Sequence, residues 1–266
     1  MAEFPKQAKV VIVGLGGIVG SSIAHHLIEL GWDDIVGLDK SAIPTDIGST
    51  SHASDFCYTT GADKFTAYTT QYSQQFFESR GNYVRCGGLE VARVDDDARM
   101  LELKRKIGQG KAFGSRVSLI SPAEAKAKFP LLAEDQIQGA LWDPDAGLVV
   151  PRSQKVAGDL VDEAVASGKL KAFPNTPALK IVVDAGRVIG VETRRGFIAS
   201  EKVVLSVGIW GPLLADQVGS KLPLMPLEHP LLFFGPYDEL TGSGQEIVYP
   251  LFRDQGNSSY VRDTGD

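Results

Sequence analysis

A glycine-rich turn near the start of the chain has residue types and spacing suited to holding a phosphate group. Residues 14–20 read GLGGIVG, directly after the apolar, β-branched run Ala8 to Val13. Glycines in such a turn let the backbone approach a diphosphate and let the next helix pack closely on the strand. Val19 stands where the G-x-G-x-x-G spacing would place its last glycine, so the turn is one residue longer than usual. The candidate phosphate-binding residues are Gly14, Gly16, Gly17 and Gly20.

An acidic residue follows at the distance expected of a dinucleotide-binding fold. Asp39 closes the apolar run Ile35 to Leu38, 19 positions after Gly20. A carboxylate there can accept hydrogen bonds from both hydroxyls of a ribose, and it repels a 2′-phosphate. Glycines also close tight turns without binding anything, so the turn alone is weak evidence of nucleotide binding. The strand, the helix and Asp39 together favour nucleotide binding.

These residues must be positioned by a βαβ unit. The pattern predicts a strand over Ala8 to Val13, a helix over Ile18 to Leu30 and a second strand over Ile35 to Leu38. A mixed region, a second βα portion and antiparallel strands follow, an order that indicates two interleaved domains. We expect an α/β fold with a Rossmann-like nucleotide-binding domain and an interleaved, mixed or antiparallel substrate domain. The predicted nucleotide-binding parts are 1–85 and 151–223, and the substrate-domain parts are 86–150 and 224–266.

Further elements are predicted from periodicity and turn residues. The segment Ser121-Pro122-Ala123-Glu124 predicts a capping box at the start of a helix, and Asp184-Ala185-Gly186 predicts a hairpin turn. A helix over Asp63 to Ser79 carries a stripe of aromatic side chains that we interpret as facing the core. The apolar strand Val203 to Ile209 is expected to return to the first sheet. A helix is predicted over Arg152 to Ser167, and a last pair of strands turns near Gly256-Asn257. Other strands are predicted over Gly88 to Val94, Gln138 to Val150, Ala178 to Val183, Val188 to Thr193, Leu224 to Phe234 and Ile247 to Phe252. The aromatic stripe consists of Phe65, Tyr68, Tyr72 and Phe76.

Composition restricts the classes of partner. The net charge of −6 and the pI of about 5.3 argue against binding to nucleic acid or to an anionic membrane surface. No apolar run is long enough to span a membrane, and no secretory signal precedes Val10. Cys57 and Cys86 stand in neither a redox nor a metal-binding spacing, so we expect no metal site and a reducing compartment. The sequence is therefore expected to be cytoplasmic.

Four short segments, in matching order, resemble the dimethylglycine oxidase and dehydrogenase group. They read GSTSHA at 48–53, GGLEVA at 87–92, SPAEA at 121–125 and PLEH at 226–229. This group belongs to the D-amino-acid oxidase-like family of flavoproteins and has sarcosine dehydrogenase as a close neighbour. The likeness runs from Val10 to Asp266.

The resemblance implies that FAD is bound covalently. In this group the histidine of the S-T-x-H-A motif carries the flavin, and His52 matches it, with Ser49, Thr50 and Ser51 before it. A neutral imidazole is a reasonable nucleophile near neutral pH. Without the resemblance, a histidine that merely packs or hydrogen-bonds in a polar loop would be the simpler interpretation.

The resemblance also implies residues near the flavin ring. His229 and Tyr260 match a histidine and a tyrosine on the substrate side, where they would bind or deprotonate the amine and position the substrate. A buried histidine and a sheet tyrosine are the structural alternatives. The segment with Gly208 and Trp210 matches a stretch close to the cofactor. Arg253 and Arg262 flank Tyr260 and are weaker candidates for a carboxylate clamp.

The implied activity is oxidative demethylation of an N-methylated glycine, dimethylglycine or sarcosine, by hydride transfer to FAD. Alternatives are a flavin oxidase of another secondary amine or amino acid, and a truncated, non-catalytic nucleotide-binding fragment. Members of the group continue beyond the position that matches Asp266, so we expect this chain to be the amino-terminal part of its parent. Tetrahydrofolate is expected as a partner only of the missing carboxyl-terminal half.

Overall fold

The structure is a computed structural model that describes residues 3–61, 63–240 and 244–264. The chain divides into two units, one formed by Met1–Ser54 with Pro151–Pro230 and the other by Asp55–Val150 with Leu231–Asp266. The boundaries therefore fall after Ser54, Val150 and Pro230, where we predicted 85, 150 and 223. Positions 1–2, 62, 241–243 and 265–266 of the predicted domains lie outside the described residues.

Helices and strands alternate along the described residues. The helices are α1 (Ile18–Glu29), α2 (Lys64–Ser79), α3 (Asp97–Ala112), α4 (Pro122–Lys128), α5 (Ser153–Ala166) and α6 (Gly211–Ala215). The strands are β1 (Val10–Val13), β2 (Ile35–Leu38), β3 (Phe56–Cys57), β4 (Tyr83–Arg85), β5 (Gly88–Arg93), β6 (Ser118–Ile120), β7 (Ile137–Asp143), β8 (Gly147–Val149), β9 (Leu170–Phe173), β10 (Ala178–Asp184), β11 (Arg187–Thr193), β12 (Gly196–Ala199), β13 (Val203–Leu205), β14 (Leu251–Asp254) and β15 (Ser259–Val261).

The first unit is built on a parallel sheet with strand order β13-β1-β2-β9. Every residue of β1 is buried, as its continuous apolar sequence predicts for a strand covered on both faces. Helices α1 and α5 cover one face, where Val161 and Ala164 pack with Ile12. The antiparallel sheet β10-β11-β12 covers the other. The predicted return of the Val203 strand is confirmed, because β13 pairs with β1 in parallel.

The second unit is built on a five-stranded sheet with strand order β15-β14-β5-β7-β6. Neighbouring strands are antiparallel except β14 and β5, which are parallel. Apolar side chains of α3 and α4 join separate clusters on β5 and β7, with Leu103 of α3 in one and Ala125 of α4 in the other. Strands β3, β8 and β4 form a smaller sheet.

Two local predictions from turn and cap residues are confirmed. Ser121 accepts a hydrogen bond from the Glu124 backbone, and the Glu124 side chain accepts from the Ser121 backbone, which is the capping box predicted at the start of α4. In the β10–β11 hairpin, Ala185 and Gly186 both have positive φ, at 47° and 77°. Such a two-residue turn matches the twist of the strands that it joins.

The prediction that the aromatic stripe of α2 faces the core is wrong. Phe65, Tyr68 and Tyr72 are 76%, 66% and 44% exposed, whereas Ala67 and Gln74 are the buried residues of this helix. The spacing correctly places the aromatic rings on one side of a helix. Periodicity alone does not identify which side of the helix is buried, and here the buried side chains are a small one and an amide.

The predicted strand over Leu224 to Phe234 is also wrong. These residues form no regular element, and their side chains are exposed. Pro223, Pro226 and Pro230 interrupt the apolar run at intervals of three and four residues and remove the backbone donors that a sheet requires. Elsewhere the predicted run Gln138 to Val150 is divided between β7 and β8, and only the end of Ile247 to Phe252 is a strand.

No helix among the described residues has the length and apolar character needed to cross a membrane.

Candidate functional site

A cavity of about 550 Å³ opens in the first unit where β1, β2 and β13 end. Ligands of open α/β sheets bind at this edge, beside the strand at which the chain order changes direction. Here that strand is β1, which lies between β2 and β13. Seven of the predicted cofactor-binding residues line the cavity: Gly14, Gly17, Asp39, Ser49, Thr50, Gly208 and Trp210. Gly16, Gly20, Ser51 and His52 are not among the lining residues.

The glycines of the turn have different physical reasons to be glycine. Gly14 has φ of +90°, and a Cβ there would lie 2.5 Å from the Ser206 carbonyl oxygen. A Cβ on Gly20 would lie 2.1 Å from the Gly14 carbonyl oxygen, so Gly20 brings α1 against β1. It thereby fills the packing role expected of the last motif glycine, one position late. Gly17 is open toward the cavity, since only the Thr50 hydroxyl lies within 4 Å of its Cβ position.

Asp39 is a buried carboxylate that joins the turn to the second strand. Its Oδ2 accepts a hydrogen bond from the Gly16 backbone at 2.8 Å. Its Oδ1 accepts from the backbone and the hydroxyl of Ser41, both at 3.0 Å. A carboxylate offers about four acceptor positions, so capacity remains for a ribose hydroxyl. Asp39 lines the cavity, as its predicted role requires.

The segment 48–53 that carries the resemblance lies beside the glycine turn. The Thr50 hydroxyl accepts a hydrogen bond from the backbone of Ile18 at 3.0 Å, and Ile18 is the first residue of α1. Gly17, at the cap position, has no side chain to serve this function. Thr50 therefore caps α1 from 32 residues away in the sequence.

Replacing Thr50 with valine is expected to lower the free energy of unfolding by about 1 kcal/mol, because the Ile18 amide loses its acceptor. Thr50→Ser keeps the hydroxyl and is expected to retain most of the stability. Urea denaturation of the three proteins measures the difference. A loss of stability in the serine variant without one in the valine variant, which keeps the methyl group, would assign the effect to packing of that methyl group.

His52 has a defined tautomer. Its Nδ1 lies 2.9 Å from the Gly48 carbonyl oxygen, which can only accept, so Nδ1 carries the proton and Nε2 the lone pair. The Ser51 hydroxyl lies 3.0 Å from the same Nδ1. The side chain is exposed. In the neutral form of the imidazole, Nε2 is therefore the nitrogen that can act as a nucleophile.

Neither of the two residues predicted to act on the substrate is among the residues that line the cavity. His229 is exposed in the segment without regular structure. Tyr260 is in β15 of the second unit, with its ring centroid 5.3 Å from that of Phe56. The structure therefore assigns neither of them a contact with the cavity of the first unit.

The two arginines near Tyr260 differ in their contacts. Arg253, on β14, pairs across the sheet with Tyr260, and its guanidinium carbon lies 4.2 Å from the ring centroid of Tyr58. Arg262 instead lies 3.4 Å from a carboxylate oxygen of Glu246. Arg253 is therefore the better placed of the two to meet a carboxylate next to Tyr260.

Sequence reasoning missed Lys40, which also lines the cavity. Its ammonium nitrogen lies 3.3 Å from the ring centroid of Trp210, and a Cβ on Gly48 would lie 3.3 Å from the same indole. Desolvation lowers the pKa of Lys40 from its ordinary value, and the neighbouring Asp39 opposes that shift. The one available signal was its position directly after Asp39.

The residues around the cavity fit a dinucleotide. The turn leaves Gly17 open where a phosphate must approach the backbone, and α1 begins at that point. Asp39 stands at the end of the neighbouring strand with acceptor capacity for a ribose. Apolar side chains, among them Ile209, Leu213 and Leu222, line other parts of the cavity.

A second cavity, of about 340 Å³, lies in the second unit and has a different character. Its lining is mostly polar, and several of the lining side chains are hydrogen-bonded to each other. Asp145 accepts from Arg116 Nε at 2.8 Å and from Arg85 Nη1 at 2.6 Å, and Arg85 also donates to Glu78. These contacts satisfy the charges internally, so the network serves the fold.

This network predicts a pH-dependent stability. The pKa of Asp145 is held below its ordinary value, mainly by the hydrogen bond from Arg116 and against the opposing effect of burial. A lowered carboxyl pKa contributes stability that is present above the unfolded-state pKa and is lost as the pH falls through the folded-state pKa. Asp145→Asn should therefore cost about 1 kcal/mol at neutral pH, and the difference from the unsubstituted chain should narrow below about pH 4. Urea denaturation at both pH values measures this.

The matched control is Asp95→Asn, which removes an exposed carboxylate from the same unit. We expect it to leave the stability nearly unchanged at both pH values. A loss of equal size in the two variants at neutral pH would point to net charge and against the Arg116 contact.

Comparison with known proteins gives a consistent family. The family model described as DAO, FAD dependent oxidoreductase, matches residues 9–266. The mitochondrial sarcosine dehydrogenase of Homo sapiens is 30% identical over 98% of this chain and 28% of its own length. The mitochondrial pyruvate dehydrogenase phosphatase regulatory subunit of Mus musculus is 30% identical over 97% of this chain and 29% of its own length. The chain therefore spans less than a third of these relatives.

A solved structure supports the fold. The L-proline dehydrogenase from P. horikoshii superposes with a TM-score of 0.81 at 24% identity, over 98% of this chain and 68% of that one. The predicted fold class, a Rossmann-like FAD-binding part with an interleaved mixed sheet domain, is confirmed by this likeness and by the sheets described above.

Proposed function

The chain belongs to the DAO family of FAD-dependent oxidoreductases, and from this membership we propose that it is part of an enzyme that oxidises an N-methylated amino acid. The proposed substrates are sarcosine and dimethylglycine, and the proposed reaction is oxidative demethylation. The observation that carries the proposal is the cavity in which the glycine turn, Asp39 and the 48–53 segment meet. Similarity to sarcosine dehydrogenase supports the substrate class.

Residues of this chain have defined tasks in the proposed reaction. The glycine turn and Asp39 would hold the dinucleotide by its phosphates and ribose. Bound FAD supplies the acceptor of a hydride from the N-methyl carbon. With water, sarcosine would then yield glycine and formaldehyde. Passage of the one-carbon unit to tetrahydrofolate is proposed for the longer parent alone.

We propose that the cofactor is attached at His52. Exposure of the imidazole and the lone pair on Nε2 support this proposal. Bond formation between Nε2 and the methyl carbon of the flavin ring would release a proton from that carbon and leave two electrons on the flavin, to be removed by oxygen or another electron acceptor. The contact between Nδ1 and the Gly48 carbonyl oxygen would stabilise positive charge on the imidazole as this bond forms, because the Nδ1 proton is already hydrogen-bonded.

On the substrate side, an amine must lose its proton before it can release a hydride. We assign the deprotonation to His229 and the positioning of the substrate to Tyr260. Arg253, which pairs with Tyr260 across the sheet, is assigned to the substrate carboxylate ahead of Arg262. A guanidinium matches a carboxylate in shape and charge.

The proposed function is tested by flavin reduction. The full-length parent is mixed with sarcosine or dimethylglycine without oxygen, and the visible flavin absorbance is followed. We expect rapid bleaching by an N-methylated glycine and slower bleaching by L-proline or unmethylated glycine. Preferred bleaching by an amino acid without an N-methyl group would contradict the substrate class.

A second candidate is a flavin-binding subunit without turnover. The 30% identity to a phosphatase regulatory subunit favours it. It predicts that the flavin absorbance is present and that no amine in the panel bleaches it. A colourless full-length protein would contradict both candidates.

A further inference from the structure

Charge is scarce around the cavity of the first unit. Among the described residues that line it, Asp39 and Lys40 carry the only formal side-chain charges. The two neutralise each other in sum. Helix α1 adds about half a positive charge at its amino-terminal end. A dinucleotide diphosphate brings about two negative charges to such a site, so its partner charge must come from very few groups.

Lys40 is the only full positive charge among these lining residues. Asp39, its neighbour in sequence, takes its hydrogen bonds from Gly16 and Ser41, while the Lys40 ammonium rests on the indole of Trp210. A cation held on an aromatic face at a partly exposed site gains about 0.5–1 kcal/mol. The indole therefore binds the ammonium more weakly than an oppositely charged group would. A lysine side chain is long and flexible, so its ammonium can leave the indole when an anion enters.

We propose that Lys40 supplies the counter-charge for the diphosphate of the bound dinucleotide, and that Trp210 keeps its ammonium beside the cavity until then. This inference rests on the proposed function, because it takes FAD to be the ligand. It adds a specificity: ligands with phosphates are favoured by Lys40, and ligands without them are not.

The test compares ligands that differ in phosphate alone. ADP and adenosine are titrated by calorimetry into the full chain carrying His52→Ala, from which the noncovalently bound FAD has been removed, so that the cavity is free. In that background Lys40→Gln should weaken ADP binding by about tenfold and adenosine binding by less than about twofold. Lys40→Arg keeps the charge and should keep most of the ADP affinity. Added salt should weaken ADP binding less in the glutamine variant, because the screened charge is gone.

The matched control is Lys171→Gln, which removes an exposed cation from β9 that does not line the cavity. We expect it to leave ADP binding within about twofold. Circular dichroism of each variant establishes that the fold is retained. Trp210 fluorescence gives a second signal. ADP should change this fluorescence in the protein that retains Lys40, and much less in the Lys40→Gln variant.

The outcomes separate the inference from the proposed function. Equal losses of ADP and adenosine affinity in Lys40→Gln, or no loss of either, would overturn the role of Lys40 and leave FAD binding intact. A similar loss in Lys171→Gln would reduce the effect to net charge and overturn it too. Failure of the Lys40 protein to bind ADP or FAD would overturn the proposed function, and this inference with it.

Discussion

Replacing His52 with alanine is expected to abolish covalent attachment of FAD. In the unsubstituted protein, the denatured chain should carry the mass of one FAD and remain yellow after acid precipitation. In His52→Ala the added mass should vanish, since no other side chain of the 48–53 segment offers a nucleophilic nitrogen. Intact-protein mass spectrometry of the full-length parent, denatured before injection, measures both. Noncovalent FAD is expected to remain, because the glycine turn and Asp39 are unchanged.

The control for this experiment is His26→Ala, a histidine of the same unit. His26 lies in α1, where its Nδ1 contacts the backbone of Ser22 at 2.7 Å. We expect this variant to keep the covalent FAD. Loss of attachment in both variants would indicate a damaged fold, and retention in both would refute the link at His52.

The sequence is most informative about the fold at positions where the backbone allows only one residue type. Glycine at position 20 was recognised as part of a nucleotide-binding turn even though the spacing is irregular. The structure explains the irregularity: α1 starts at Ile18, and Gly20 faces the Gly14 carbonyl oxygen. The motif spacing varies, but the need for a residue without a Cβ at the strand-helix contact does not.

The sequence was least informative about which surfaces meet. The stripe of Phe65, Tyr68, Tyr72 and Phe76 has the period of a buried helix face, and the structure leaves much of it in solvent. Whether a face is buried depends on what the rest of the chain places against it, which is a long-range property. The sequence of a single helix does not identify which element packs against it.

The wrong prediction over Leu224 to Phe234 has a different cause, because the local sequence itself contains residues that oppose a strand. Hydrophobicity favoured a strand, while the prolines at 223, 226 and 230 opposed one. Lys40 was missed for a third reason. Its contact with Trp210 joins positions 170 residues apart, so no local pattern predicts it.

A methyl group at Gly20 and one at Gly17 are expected to have contrasting effects. In Gly20→Ala the new Cβ would meet the Gly14 carbonyl oxygen at 2.1 Å, so α1 must move away from β1. Crowding of backbone against backbone has no flexible side chain to relieve it. We expect the free energy of unfolding to fall by about 3 kcal/mol or more, and noncovalent FAD binding to be lost with the fold.

Gly17→Ala is the matched variant. The nearest atom to its Cβ position is the Thr50 hydroxyl oxygen at 3.5 Å, an ordinary contact, and φ is −85°. The stability should therefore change by less than about 1 kcal/mol. The methyl group would nevertheless stand in the cavity where a phosphate must approach the backbone, so FAD affinity should fall by about tenfold or more.

Measured together, the two variants separate the two tasks of the turn. Urea denaturation reports the packing of α1 on β1, and titration with FAD in the His52→Ala background reports the approach of the ligand. Loss of stability without loss of binding in Gly17→Ala would show that the open side of Gly17 does not face the dinucleotide. A stable Gly20→Ala protein would show that α1 can shift by the width of a methyl group, and that Gly20 does not fix the distance between helix and strand.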